Sequence, residues 1–290
     1  MNPDSAQTGP KKEGVLYIVA TPIGNLDDLS PRAISVISQA DVIAAEDTRH
    51  TGRLLQHLGL KKTMMAIHDH NERDKAGAVV DKLVSGASIA LVSDAGTPLI
   101  SDPGYVLVRQ ARQSGVRVVP VPGPCALVAA LSAAGLATDR FLFEGFLPAK
   151  RGARKAALED LAGETATLIF YESPHRILET ASAISEVMGA GRQVVLAREL
   201  TKAFETFYSG SAADICDQLA ADPYATKGEF VVMVEGAEAS AEAHAGLDVD
   251  KFLRLLLAEL PVKKVAQLGS ELTGLAKNDL YQRALTIKNE

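Results

Sequence analysis

Apolar segments without a period-two pattern alternate with helix-like segments almost from the start of this chain, and that alternation constrains the fold more than any other feature. Residues 15–20 read VLYIVA, 42–46 VIAAE, 63–68 TMMAIH and 88–92 SIALV, and none of them alternates apolar with polar. Strands of this kind are buried on both faces, so they predict a largely parallel sheet with helices on either side. Helix signals fall between them. Ser30-Pro31 is a capping residue followed by proline at the first helical position. Gly59 closes a helix over 51–59. Asn71 caps one that runs to Gly86, and another spans about 103–115 before VRVVPV at 116–121.

The pattern restarts after Pro122-Gly123-Pro124. A helix of small residues (126–135) leads to FLFEGF at 141–146, a helix over 152–162, and TLIFYE at 167–172. Ser173-Pro174 predicts a further helix ending near Gly189. The segments 193–199, 204–210 and 229–235 complete a second sheet, whose later strands are expected to be antiparallel. The expected fold class is therefore α/β: two consecutive α/β/α domains, plus a small helical C-terminal tail. The boundaries expected are a disordered tail at 1–13, an N-terminal α/β domain at 14–121, a C-terminal α/β domain at 122–236, a linker at 237–246 and a helical tail at 247–290. The helices flanking 269–274 have a helix-turn-helix outline, and a cap that only packs is an equal reading.

Composition narrows the function classes. Hydrophobic residues make up 47% and charged residues 23%, as in globular soluble proteins. The net charge of −6 excludes a coat of positive charge but not a local basic patch. The run at 15–20 is too short for a signal-peptide core or a membrane span, so a cytoplasmic protein with no membrane contact is expected. Cys125 and Cys216 are too few for a disulfide framework or a zinc site, and the six histidines are scattered, so no metal is expected.

In an open parallel sheet, ligands bind beyond the carboxyl ends of the strands. Six polar or Gly/Pro-rich loops lie there, at 20–28, 45–50, 93–104, 121–126, 171–176 and 198–205. None holds a P-loop, a dinucleotide-binding glycine fingerprint or a nucleophile elbow, which points to a cofactor held mostly by backbone groups. The stretch LVSDAGTPLISDPG (91–104) typifies them: glycine lets a ligand approach the backbone, and proline holds that backbone still.

In order along the chain, TPIGNLDDLSPRA, AAEDTRHTGRLL, LVSDAGTPLISDPG, VPGPCA, FYESPHR, ARELTKAFE and KGEFVVMVEG closely resemble the ribosomal RNA small subunit methyltransferase I family. That family belongs to the tetrapyrrole methylases, the class III S-adenosylmethionine-dependent methyltransferases. The resemblance covers roughly residues 14–236 and extends more loosely into the tail. It implies a cofactor cleft between the two α/β domains, S-adenosylmethionine as cofactor and 2′-O-methylation of a cytidine ribose in small-subunit (16S) ribosomal RNA, free or as an assembled subunit. It also implies a homodimer. Carried over residue by residue, it puts Ile23, Ala95, Gly96, Thr97, Ile100, Cys125, Ala126, Glu172 and Leu200 against the cofactor. Two positions depart from the pattern. Thr97 stands where relatives acting on tetrapyrroles have Asp, and Cys125 where relatives usually carry Ser or Thr.

Methyl transfer to a hydroxyl needs alignment, exclusion of water and a proton acceptor. Asp47, Glu199 and Lys202 are the catalytic candidates, and an ion-pair network that braces the two halves is an equal reading of each. For RNA, the densest basic stretch supplies Lys150, Arg151, Arg154 and Lys155. A methyltransferase acting on a tetrapyrrole or other small molecule is the alternative function. A non-catalytic RNA-binding factor is a third.

Overall fold

The computed structural model describes residues 13–238, 249–273 and 275–289. Nearly all of the expected disordered tail, and the linker from 239 onwards, lie outside the described residues. The first half comprises β1 (Val15–Val19), α1 (Pro31–Gln39), β2 (Val42–Ala45), α2 (Thr48–His57), β3 (Met64–Ala66), α3 (Glu72–Val84), β4 (Ser88–Val92), α4 (Tyr105–Gln113) and β5 (Arg117–Val121). The five strands form one parallel sheet in the order β3-β2-β4-β1-β5. Its apolar strands are covered on both faces. Ile37 of α1 and Leu55 of α2 pack on one side with Val19 and Ile43, and Val79 of α3 and Leu107 of α4 pack on the other with Leu16 and Ile89.

Local chemistry explains the helix ends. Ser30 Oγ accepts the Ala33 N–H at 3.1 Å above Pro31. Asn71 sits at the N-cap of α3, but its side chain does not cap that helix. Its Oδ1 accepts the His68 N–H and shapes the preceding turn. Helix α4 starts at Tyr105, two residues later than expected, because Gly104 has φ 128° and packs against Leu91 and Leu99. With no side chain at its own cap, α4 borrows one: buried Glu72 accepts the Leu107 N–H at 2.8 Å.

The second half comprises α5 (Ala126–Ala134), β6 (Phe141–Phe146), α6 (Arg151–Leu161), β7 (Thr167–Glu172), α7 (Ile177–Met188), β8 (Gln193–Arg198), β9 (Thr206–Ser211), α8 (Ala212–Ala221) and β10 (Phe230–Val234). Its sheet order is β6-β7-β10-β8-β9, and only β6–β7 is parallel. The last strand thus inserts between two earlier ones. Helix α7 begins at Ile177, not at Ser173-Pro174, because residues 173–176 form a turn tied to Glu172. Helix α8 was not anticipated, although Ser211 and Asp214 form a capping box.

Both halves fall in one compact unit ending at Gly236. Residues from Ala237 form a second unit with its own core, built from α9 (Val249–Leu257), α10 (Val262–Thr273) and α11 (Lys277–Asn289) around Leu253, Val265 and Leu280. Gly269 lets Leu280 approach α10 closely. No described helix is long and apolar enough to cross a membrane.

Candidate active site

The carboxyl ends of β1, β4, β7 and β8 meet around a cavity of about 440 Å³. All nine residues expected against a cofactor line it. Loop 93–104 supplies Ala95, Gly96, Thr97 and Ile100, the first loop supplies Ile23, and the start of α5 supplies Cys125 and Ala126. Glu172 and Leu200 come from the ends of β7 and β8. Ile23 and Ile100 of the first half pack on the apolar face of the second, against Leu127, Ile169 and Val231. The two halves therefore share one wall.

Three bonds fix loop 93–104. Thr21 and Gly96 exchange backbone hydrogen bonds of 2.8 and 3.0 Å. Thr97 Oγ1 donates to the Pro124 carbonyl at 2.9 Å, tying this loop to the second half's first loop. The path needs left-handed backbone at Gly96 (φ 80°), Leu99 (φ 73°) and Ser101 (φ 66°). Two non-glycine residues in that region are a local strain of the sort that surrounding structure must hold in place. Among the described residues, the N–H groups of Ala95 and Thr97 find no protein acceptor, so both remain to bind a ligand.

The catalytic candidates are placed differently from the expectation. Asp47 lies outside the cavity. It caps α2, accepting the Arg49 N–H at 2.8 Å, and it pairs with the Arg49 guanidinium, whose hydrogen bonds hold its pKa well below the carboxylate range. Glu199 is not a wall residue either. Its Oε1 accepts from Lys202 and from the Glu229 N–H, a brace between β8 and β10. Lys202 does line the cavity, 2.7 Å from Glu199 and 3.0 Å from Glu229. Burial pulls its pKa down, but the two carboxylates together outweigh that and raise it. An ammonium held charged in this way is a poor proton acceptor. Lys202→Met is therefore expected to cost roughly tenfold in catalytic efficiency, the size of one charge-assisted bond, and to leave the acid limb of the pH–rate profile in place. A displaced acid limb would restore Lys202 as the base.

Glu172 is buried and both of its carboxylate oxygens are hydrogen-bonded. It accepts from the Ser173 N–H at 2.8 Å, Thr180 Oγ1 at 2.6 Å and Arg176 Nη2 at 3.3 Å. These bonds hold the 173–176 turn.

Asp102, which sequence reasoning passed over, fits a base better. It lines the cavity, and burial pushes its pKa up to about 6; the Ser93 hydroxyl opposes the shift, while Glu46, Asp94 and Asp69 add to it. Tyr171, also on the wall, is raised chiefly by burial and donates no proton near neutrality. Its oxygen accepts the Leu127 N–H at 3.2 Å, orienting the ring under α5.

The basic stretch divides. Lys150 and Arg151 open α6 on the edge that carries Phe146, itself a cavity residue. Arg154 is only 1% exposed and bonds Glu179 at 2.6 Å, so it cannot reach RNA phosphate as the sequence suggested. Lys155 and Arg151 both face Glu186, at 2.7 and 4.0 Å. Arg154→Ala is expected to lower stability by about 2–3 kcal/mol through lost packing and leave the salt dependence of RNA binding unchanged. Denaturant midpoints and a salt titration check both halves of that statement.

Comparison with known proteins places this geometry. Residues 15–216 match the model of the Tetrapyrrole (Corrin/Porphyrin) Methylases, and residues 243–288 that of the RsmI C-terminal HTH domain. The ribosomal RNA small subunit methyltransferase I of Pseudomonas aeruginosa is 55% identical over 273 residues, 94% of this chain and 97% of its own. That of Escherichia coli O157:H7 is 53% identical over 279 residues, covering 96% and 97%. Among solved structures, the uroporphyrin-III-C-methyltransferase of Thermus thermophilus superposes with a TM-score of 0.54 at 20% identity, over 77% of this chain and 94% of that one. The methyltransferase CobJ does so at 0.57 and 20%, over 77% and 95%. At that identity the structural likeness establishes the fold alone.

Proposed function

Since the chain belongs to the ribosomal RNA small subunit methyltransferase I family, with a cofactor domain of the tetrapyrrole methylase type, we propose that it methylates the 2′ oxygen of a cytidine ribose in small-subunit ribosomal RNA, using the shared cavity for S-adenosylmethionine and Asp102 as the proton acceptor. Methyl transfer to ribosomal RNA by an S-adenosylmethionine-dependent enzyme is the family's activity. The ribose position, the residues and their roles are this proposal.

The observation that carries it is the cavity itself. Its volume lies within the range of small-molecule sites, about 300–1,000 Å³. Its walls are mainly apolar, and the free N–H groups of Ala95 and Thr97 sit beside Gly96, where a ligand can approach the backbone. The donor set suits a cofactor recognised by backbone, and S-adenosylmethionine when bound supplies an electrophilic methyl on a sulfonium. Ile23, Ile100 and Leu200 exclude water from that methyl, and the Thr97–Pro124 bond keeps the two halves in register. Asp102, ionised above pH 6, takes the 2′ proton as the oxygen attacks. Lys202, paired with Glu199 and Glu229, braces the rim of the cavity.

A ribosomal substrate puts the enzyme in the cytoplasm, and a homodimer is part of the same reading, tested by its mass in solution. The decisive experiment supplies labelled cofactor with small subunits from cells lacking the enzyme, and with the naked RNA extracted from them. Label on one cytidine 2′ oxygen is expected. Label on a base, or on a tetrapyrrole offered in competition, would overturn the assignment.

A further inference from the structure

The loops that wall the cofactor cavity with Ile23 and Ala95 wall a second cleft, of about 170 Å³, with Thr21, Pro22, Ser93 and Asp94. Its other wall is α2. His50, Arg53 and His57 recur there at the three- and four-residue spacings that share one helix face, and all three are exposed. Among the described residues Arg53 has no carboxylate partner. Several other arginines do: Arg49 pairs with Asp47, Arg151 with Glu186, Arg154 with Glu179, Arg176 with Glu172 and Arg198 with Asp222.

The remaining walls are mixed. Leu26 and Leu54 offer an apolar surface beside Pro22. Asp94 closes the inner end, with Oδ1 accepting the Asp47 N–H at 3.1 Å. A guanidinium with two imidazole N–H groups outside, an apolar flank and an acceptor within match a nucleotide's phosphate, base face and hydroxyl or amino donors, in that order. The cavity read above as the cofactor's lies one residue further along each loop, at Ile23 and Ala95, so this cleft is separate from it.

We propose that this cleft is an RNA subsite, holding a nucleotide of the substrate strand adjacent to the one methylated, with Arg53 and His57 on its phosphodiester and Asp94 on a ribose or base donor. The assignment rests on the ribosomal RNA reading above. It gives an acidic chain a further hold on RNA, beside a 150–155 stretch whose Arg154 is buried and whose Arg151 and Lys155 share Glu186.

The test compares wild type, Arg53→Glu, the pair Arg53→Ala with His57→Ala, and Arg112→Glu as a charge-matched control on α4, across the sheet. Each is assayed for methyl transfer to small subunits from cells lacking the enzyme, for RNA affinity at several salt concentrations, and for S-adenosylmethionine affinity by calorimetry. The cleft variants are expected to raise the KM for RNA about tenfold or more. Their salt dependence should flatten by about one unit per lost phosphate contact. Cofactor affinity should match wild type, and so should every property of Arg112→Glu. A KM and slope equal to wild type, or equal losses in Arg112→Glu, would overturn the subsite. Lost cofactor affinity in Arg53→Ala with His57→Ala would reassign these residues to the cofactor loops. A wild type that binds cofactor yet labels no RNA would sink the ribosomal RNA reading, and the subsite with it.

Discussion

Asp102→Asn is expected to lower the rate of methyl transfer by about 10²–10⁴-fold, the usual contribution of a positioned base, while cofactor affinity stays near wild type. The sign of the pH dependence follows from the direction of the shift. A base with its pKa at about 6 is ionised and competent above that pH, so activity should fall as pH drops through 6, and the variant should lack this limb. Stability moves the opposite way. The folded protein holds this proton more tightly than the unfolded chain, so the ionised carboxylate opposes folding above about pH 6, and its neutralisation in Asn should raise the melting temperature at pH 7.5. A variant that is more stable and nearly inactive marks a functional group rather than a structural one. An unchanged rate, or a wild-type acid limb in the variant, would remove Asp102 from the chemistry.

Gly96→Val should weaken S-adenosylmethionine binding at least 100-fold. The position has φ 80°, where a non-glycine residue costs roughly 1–2 kcal/mol, and a Cβ there would lie 3.4 Å from Ile23 Cγ2. The γ-methyls would then occupy the space beside the free Ala95 and Thr97 N–H groups. Gly96→Ala carries the same backbone strain with far less bulk and should lose much less affinity. Calorimetry on both folded variants separates strain from occlusion. Equal losses would show that loop conformation, not cavity volume, governs binding.

Asp102 shows where reading from sequence stops. It lies in the very stretch, 93–104, that the Gly and Pro pattern marked as a ligand loop, next to a second aspartate of equal promise. Sequence does not say which of the two turns inward. In the structure Asp94 accepts the Asp47 N–H, whereas Asp102 is held against the cavity. The nine wall residues were legible because ordered motifs identify positions, and a position on a loop is what a resemblance transfers. Charge roles were not legible, because they depend on which partner each side chain reaches in space, near in sequence for Asp47 with Arg49 and distant for Glu199 with Glu229 or Arg154 with Glu179. Arg154 did leave a trace. Helix α6 starts at Arg151, and residues 154, 158 and 161 then share a face on which Leu158 is fully buried. Helical spacings of four and seven residues to two leucines outweigh membership in a basic run.

The insertion of β10 between β7 and β8 has a consequence for how the enzyme comes into being. The parallel sheet of the first half is complete once residue 121 has been made, and it can condense while the remainder is still being synthesised. The second sheet cannot. Strands β7 and β8 share no hydrogen bonds with each other, so each waits for Phe230–Val234, more than thirty residues beyond β8, to bridge the gap. Phe230 and Val231 also line the cavity. A nascent chain released before them would carry the cavity loops of both halves and still have no closed cavity, so the site is complete only after nearly the whole α/β unit has been synthesised.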